Sequence, residues 1–447
     1  MIVSGRALAL ATGATVLLAG LAGGYLWLRG AGGCEPLTIA ASEDKSDLLQ
    51  ALAAGYRPSG HCVQVTVEPV NPIDAQRYFA SPSSWPGPPL DVWSPGSSAW
   101  LNLLGGPGGA PSLFFSPTVI AVPQARARPL GWADLAGLRI GHANPSVSTS
   151  GLNALIAEHA IGGDRLVAGM QRGVDHYAAV LRPDYLDATV TDEQAVRASG
   201  LPLAAVLPRE GTVLADHPYA VLGSSRHQAA ARDFYGFLTQ PAQQARIAAA
   251  GYRPLGSGVD ATVIPPPDKV ALQALITSWR AVRKPTRLLV LLDASAPGTP
   301  GIARQLAHAM TGLQARDQVG VWAFPAPGQV LDFRPAGTDQ IRALQSLGRA
   351  QGATRLSDAV ESALGLVAAA YDPAAIDAVL LVEPDPPVAA DPDLESALRG
   401  QHANRFVELF TIGPPSSALA AAALAGRGAD FRPGDSAQLV AQVISNF

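Results

Sequence analysis

Apolar and polar positions along this chain alternate between two periods. Short apolar runs at Leu37–Ala41, Val63–Val67, Leu90–Trp93, Thr118–Val122, Leu138–Gly141, Leu203–Leu207 and Tyr219–Leu222 read as strands. Helix-period patterns lie between and after them, as at Ser46–Ala54, Gly151–His159 and Ala229–Leu238. A triple proline, Pro265 to Pro267, then stiffens the chain, and Val270–Val282 reads as a further helix. From Arg287 the alternation resumes, with strands at Leu288–Leu292, Val319–Phe324, Ala378–Val382 and Phe406–Thr411 and helices at Ile302–Leu313, Leu356–Ala369 and Ser417–Ala425. Strands and helices in alternation predict an α/β fold in both blocks. The division is residues 35–263, a hinge and linker helix over 264–284, and residues 285–447.

The first residues follow neither pattern. Ala7 to Leu28 is an uncharged, mostly apolar stretch bracketed by Arg6 and Arg29, long enough for a helix to span a bilayer, with Tyr25 and Trp27 at its outer end. We read residues 7–28 as a single-pass transmembrane anchor. A cleaved signal peptide and a lipoprotein signal ending at Cys34 compete with that reading, and all three export the rest of the chain. The residues before Cys34 are Ala31, Gly32 and Gly33, and Arg29 separates it from the apolar run, which disfavours the lipoprotein.

Composition removes some function classes. The 447 residues are 48% hydrophobic and only 15% charged, which excludes a disordered chain. With 32 basic against 36 acidic residues and no basic run, nucleic acid is not an expected partner. No Gly-Lys dipeptide, Gly-x-Ser-x-Gly elbow or HExxH spacing occurs, so binding rather than catalysis is expected. The two cysteines, Cys34 and Cys62, each precede a strand-like run. If those strands are parallel neighbours joined by Ser46–Ala54, their starts lie side by side and a disulfide is feasible.

One local pattern carries binding chemistry. In Asn144-Pro145-Ser146-Val147-Ser148-Thr149-Ser150-Gly151, hydroxyls and a glycine immediately precede a helix. Free N–H groups and the positive end of the helix dipole could hold an oxyanion there, whereas the simpler reading is an N-cap at Ser148 or Ser150.

The phrases LTIAASED, PLDVWSPGSSAW, FFSPTVIAVP, NPSVSTSGLNAL and TVTDEQAV, in that order, make residues 35–263 resemble an extracellular solute-binding protein of the type II periplasmic kind, near the molybdate and sulfate binders. The resemblance implies two lobes with a ligand cleft lined by Ser42, Ser94, Ser116, Thr118, Ser148, Thr149, Ser150 and Glu193. Glu193 would repel an anion, so a cationic, neutral or peptidic ligand, or none, stays open.

The phrases LLVLLDASAP and GATRLSDAV make the second block resemble a von Willebrand factor A domain, with a Rossmann-like sheet and a metal site at its top. The resemblance assigns that site to Asp293, Ser295, Thr354 and Glu383. Pro297 stands where a second serine is expected and Glu383 where an aspartate is, so a divalent ion such as Mg2+ would be held weakly if at all. The expected protein is thus anchored in the cell membrane with both domains extracytoplasmic. It acts first as an adhesive binder of a protein or envelope component through the A domain, and alternatively as the solute receptor of an ABC-type transport system.

Overall fold

The computed structural model describes residues 34–431, apart from positions 61, 86, 178–180, 182–183, 326–327, 353, 387–391 and 402–405. The apolar stretch 7–28, read above as an anchor, lies outside the described residues. Among the described residues no helix is long and apolar enough to cross a membrane.

Strand β1 (Glu35–Ala41) is buried over its last five residues. Helix α1 (Glu43–Ala53) buries Lys45, Ser46, Leu49, Leu52 and Ala53, the spacing of a single helical face. It returns the chain to β2 (Val63–Pro69), which runs parallel to β1 with Glu35 opposite Val63. A parallel pair places its two strand starts at the same edge, and there Cys34 and Cys62 are joined in a disulfide with Cα atoms 4.5 Å apart. In the chain-entropy account, closing a loop of this length stabilises by about 3 kcal/mol. Cys34→Ser with Cys62→Ser is therefore expected to lower the denaturant midpoint. Thiol labelling of the unreduced, denatured wild type should find no free thiol, and two labelled cysteines would refute the pairing.

Helix α2 (Pro72–Ala80), strand β3 (Val92–Ser94) and helix α3 (Ser98–Leu104) continue the first lobe. Strand β4 (Phe114–Pro123) carries the chain into the second lobe, followed by β5 (Ile140–His142), α4 (Thr149–Gly173) and β6 (Val174–His176). Next come β7 (Ala188–Asp192), α5 (Glu193–Ala198), β8 (Leu203–Val206) and β9 (Leu214–Ala215). The chain returns to the first lobe with β10 (Ala220–Val221), α6 (Gln228–Leu238) and α7 (Pro241–Ala249), then pairs β11 (Arg253–Pro254) with β4. One sheet is ordered β10-β3-β1-β2; the other is ordered β11-β4-β7-β5-β6, with β8 and β9 also pairing β4.

The segment expected to be a hinge is packed. Asp268 caps helix α8 (Lys269–Val282) by accepting from the Ala271 N–H at 2.9 Å, and Leu272, Leu275, Ile276 and Trp279 are buried in contact with α3 and α4. The amphipathic spacing that identified this helix thus also fixed it to the first domain.

Strand β12 (Thr286–Asp293) is buried at every residue, as a run apolar on both faces requires. It is followed by α9 (Thr299–Ala309), β13 (Gln318–Phe324), β14 (Gly328–Pro335), α10 (Thr338–Gln345) and α11 (Leu356–Ala369). The described chain ends with β15 (Ile376–Val382), α12 (Pro392–Arg399), β16 (Glu408–Ile412), α13 (Ser417–Ala425) and β17 (Arg427–Phe431). The sheet order is β14-β13-β12-β15-β16-β17. Counted within this domain that is 3-2-1-4-5-6, the doubly wound order, with β14 as an antiparallel edge. The Arg427 guanidinium lies 4.1 Å from the Tyr185 ring of the first domain and 3.8 Å from the Phe406 ring of its own, so the two domains meet there as well as at α8.

Candidate functional site

Four helices of the first domain, α1, α2, α4 and α5, begin around one cavity between the two sheets. Ser42, Asn71, Ser148 and Asp192 are their N-cap residues. A helix start leaves N–H groups without intrahelical partners, which is why small polar side chains gather there. The cavity holds about 360 Å³ and is walled by both lobes, including Ser42, Ser116, Ser148, Thr149 and Ser150.

Part of this hydroxyl set is already engaged. Ser148 Oγ accepts from the Gly151 N–H at 3.4 Å and lies 3.1 Å from Ser150 Oγ, so Ser148 is an N-cap as well as a cavity wall. Ser116 Oγ accepts from the Gln194 N–H at 2.9 Å. Thr149 Oγ1 accepts from Trp100 Nε1 at 3.1 Å and so ties α3 of one lobe to α4 of the other. That closeness explains Gly96, where a Cβ would run into the Thr149 side chain. Gly151, which the sequence offered as an anion-loop glycine, is needed for packing, because a Cβ there would meet the Ala143 carbonyl.

Ser94, Thr118 and Glu193 do not line the cavity. Ser94 is fully buried and donates to the Pro218 carbonyl at 2.7 Å. Thr118 lies behind the wall, 3.5 Å from Asp192 Oδ1. Glu193 is held on the far side of its helix by Arg253, with Nε at 2.6 Å and Nη2 at 2.8 Å, and by Arg197 at 2.9 Å. Its carboxylate clamps α5 to β11, and it is the neighbouring Asp192 that faces the cavity.

Among the described residues, the acidic groups that line the cavity are Glu43, Asp44 and Asp192, and no described lysine or arginine joins them. Burial, reinforced by Asp44, pushes the Asp192 carboxyl up to about 8. Burial, together with Asp74 and Asp44, likewise raises Glu43. At Asp44 enclosure by protein opposes ionisation, but the Lys45 ammonium and the Tyr252 hydroxyl outweigh it and hold the carboxyl below its ordinary value. Lys45 lies wholly buried under the cavity floor, where its ammonium donates to the Pro95 carbonyl at 2.6 Å and meets His217 Nδ1 at 3.2 Å. Burial brings that ammonium down to about 7, despite Asp44 and Asp216. Burial, then Lys45, holds the His217 imidazole down to about 3, so the ring is neutral. His217 also carries a φ of 40°, in the left-handed region that non-glycine residues seldom occupy. Composition gave no hint of this cluster, although Lys45 is one of only three lysines in the sequence, the others being Lys269 and Lys284.

In the second domain Asp293 and Ser295 sit at the end of the central strand. Asp293 Oδ1 accepts from the Ser295 N–H at 2.8 Å and from Ser295 Oγ at 2.6 Å. Glu383, at the end of β15, accepts from the Asp385 N–H at 3.0 Å. Burial, then the charge of Asp293, raises its carboxyl to about 8. Thr354 is exposed, and Thr299 Oγ1 donates to the Asp293 carbonyl rather than standing in for the hydroxyl missing at Pro297. Among the described residues no group of three or more His, Cys, Asp or Glu could hold a metal ion.

Residues 37–253 match the family model of bacterial extracellular solute-binding proteins. Among solved structures, this chain is similar to the sulfate-binding protein SubI from Mycobacterium tuberculosis H37Rv, at 23% identity over 50% of this chain and 88% of that one, with a TM-score of 0.39. It is also similar to a periplasmic thiamin binding protein, at 15% identity over 56% of this chain and 97% of that one, with a TM-score of 0.46. A third is the substrate binding protein of an ABC transporter from Agrobacterium tumefaciens, at 14% identity over 57% and 96%, with a TM-score of 0.44. No curated protein matches.

Proposed function

We propose that the protein is an extracytoplasmic solute receptor of the ABC-transport type, which holds a small solute between the lobes of its first domain. The observation that carries this reading is the polar cavity of about 360 Å³ walled by both lobes, lying within the stretch that matches the solute-binding family. Pockets of this size with a few convergent polar groups are where small ligands bind. The match favours this reading over the adhesive one that the sequence placed first, since it falls on the first domain and says nothing of an adhesive surface. Binding rather than catalysis is proposed for the same reason, with residues 7–28 as the membrane anchor.

We read the second domain as an A-type module, on its sheet order and on Asp293 and Ser295 at the end of its central strand. Its oxygens do not fit a tightly held Mg2+: Pro297 supplies none, Thr299 is committed to backbone, and Glu383 has a raised pKa beside Asp293.

Native mass spectrometry of the detergent-solubilised full chain, incubated with the small-molecule filtrate of spent growth medium, tests the receptor reading. Wild type is expected to retain a small-molecule adduct that Val147→Trp, which fills the cavity, loses. No adduct on the wild type, or one that persists in the variant, would overturn it.

A further inference from the structure

We propose that the solute is a small cationic amine bearing an acceptor oxygen, its ammonium held between Asp44 and Asp192 and its oxygen by His217. This inference rests on the receptor reading above and names the class of ligand the same cavity takes. A cluster of carboxylates alone would not identify a ligand, but here several observations agree on one.

The first is charge. Among the described residues the cavity is lined by the carboxyl groups of Glu43, Asp44 and Asp192 and by no lysine or arginine, and Asp44 and Asp192 approach from different lobes, one in the first turn of α1 and the other at the N-cap position of α5. Burial, then the charge of Asp44, disfavours ionisation at Asp192, and a cation between the two would favour the ionised pair. An oxyanion in the same place would meet the charge of Asp44, with no described lysine or arginine in the lining to neutralise it and with helix starts already occupied by Ser148, Asn71 and Ser116 oxygens.

The second observation is His217. It is 1% exposed, lines the cavity, and its Nε2 has no hydrogen-bond partner. Whenever Lys45 is an ammonium it donates to Nδ1, and the proton of the neutral ring then sits on Nε2. A buried N–H without an acceptor is unfavourable and calls for a ligand oxygen. The ring is fixed in that orientation by Phe114 and Tyr252, with centroids 4.8 Å and 5.1 Å away, and by its unusual backbone conformation. Tyr177 and Tyr252 also line the cavity, and aromatic walls suit the alkyl part of an amine and its charge.

The test is a thermal-shift panel on the full chain in detergent, with ethanolamine, choline, arginine and ethylamine set against molybdate, sulfate and phosphate, all at millimolar concentration. A ligand bound only by the folded state raises the melting temperature. Ethanolamine, choline or arginine is expected to raise it by more than ethylamine, which lacks the acceptor oxygen, and the oxyanions are expected to leave it unchanged. Asp192→Asn and Asp44→Asn keep the shape of each side chain, and each should weaken the amine's affinity at least tenfold; whichever variant keeps the unliganded melting temperature of the wild type decides. A shift with an oxyanion overturns the inference while leaving the receptor reading intact. So does an amine shift that survives both substitutions, since it reports binding elsewhere. No shift with any probe overturns the cationic class, and the receptor reading falls with it only if the native mass spectra are also empty.

Discussion

Trp279→Ala is expected to destabilise the protein by about 3–5 kcal/mol, the range for removing a fully buried aromatic side chain. Trp279 is 1% exposed, and its ring packs edge-on against Tyr177 with centroids 5.6 Å apart. Its Nε1 donates to Gln171 Oε1 at 3.0 Å, an oxygen that also accepts from the Tyr177 hydroxyl at 3.0 Å. The same hydroxyl accepts from the Lys284 N–H at 2.9 Å, so one small network joins α4, the linker helix and the approach to the second domain. Alanine removes the ring and leaves Gln171 and Tyr177 with an unfilled volume between them, whereas Trp279→Phe keeps most of the packing and loses only the donor. Denaturant unfolding should therefore rank wild type, then phenylalanine, then alanine, and alanine is expected to separate the unfolding of the two domains into two transitions. An alanine variant within about 1 kcal/mol of wild type, unfolding in one transition, would show that the linker helix is not the joint described here. Tyr177 also lines the ligand cavity, so this joint and the binding site share a side chain.

The strands that the sequence revealed are those whose environment writes itself into composition. Leu288–Leu292 and Ala378–Val382 are covered on both faces, so they read as unbroken apolar runs, and they lie within β12 and β15. Strands β9, β10 and β11 have two residues each, too short for any period to show; of these only β10 was read, through its apolar flank. Edge strands β14 and β17 carry Asp332 and Arg334, and Arg427 and Asp430, which fit a loop as well as a strand. Helix α4 was legible only to His159, because Gly162 and Gly163 look like a stop and Gly163 does break the helix, with φ 60°, before it resumes.

The cavity was legible as hydroxyls and illegible as charge. The hydroxyl run Ser148–Ser150 precedes a helix-period stretch, which a linear pattern exposes, whereas Ser42 and Ser116 came only from the resemblance to solute-binding proteins. Whether Asp192 or Glu193 faces the cavity depends on where β7 ends and α5 begins, a boundary of one residue that periodicity does not resolve. His217 belongs to no regular element, and its partners Lys45 and Tyr252 are distant in the chain, so only the folded topology brings them together.

The other large effect is expected at Asp317, which joins the linker to the second domain from the opposite side. Its carboxylate is fully buried and accepts from Arg283 Nη2 at 2.5 Å, from the Thr286 N–H at 2.9 Å and from the Gln314 N–H at 2.7 Å. Arg283, 4% exposed, also donates to the Lys284 carbonyl at 2.8 Å. Removing one partner of a buried ion pair leaves the other charge without compensation, which costs about 3–5 kcal/mol, so Asp317→Ala should unfold at a markedly lower denaturant concentration. Replacing both charges by apolar groups removes that penalty in general. Here Asp317→Leu with Arg283→Met would still strip the acceptor from two backbone N–H groups, each unfavourable when buried and unpaired. The double variant is therefore expected to regain only part of the loss, and Asp317→Asn, which keeps an acceptor oxygen, to fall between wild type and alanine. Parallel urea titrations of the four proteins decide this. If Asp317→Ala were no less stable than the double variant, the buried charge would not be what holds the linker to the second domain, and the two backbone donors would account for the role of this residue.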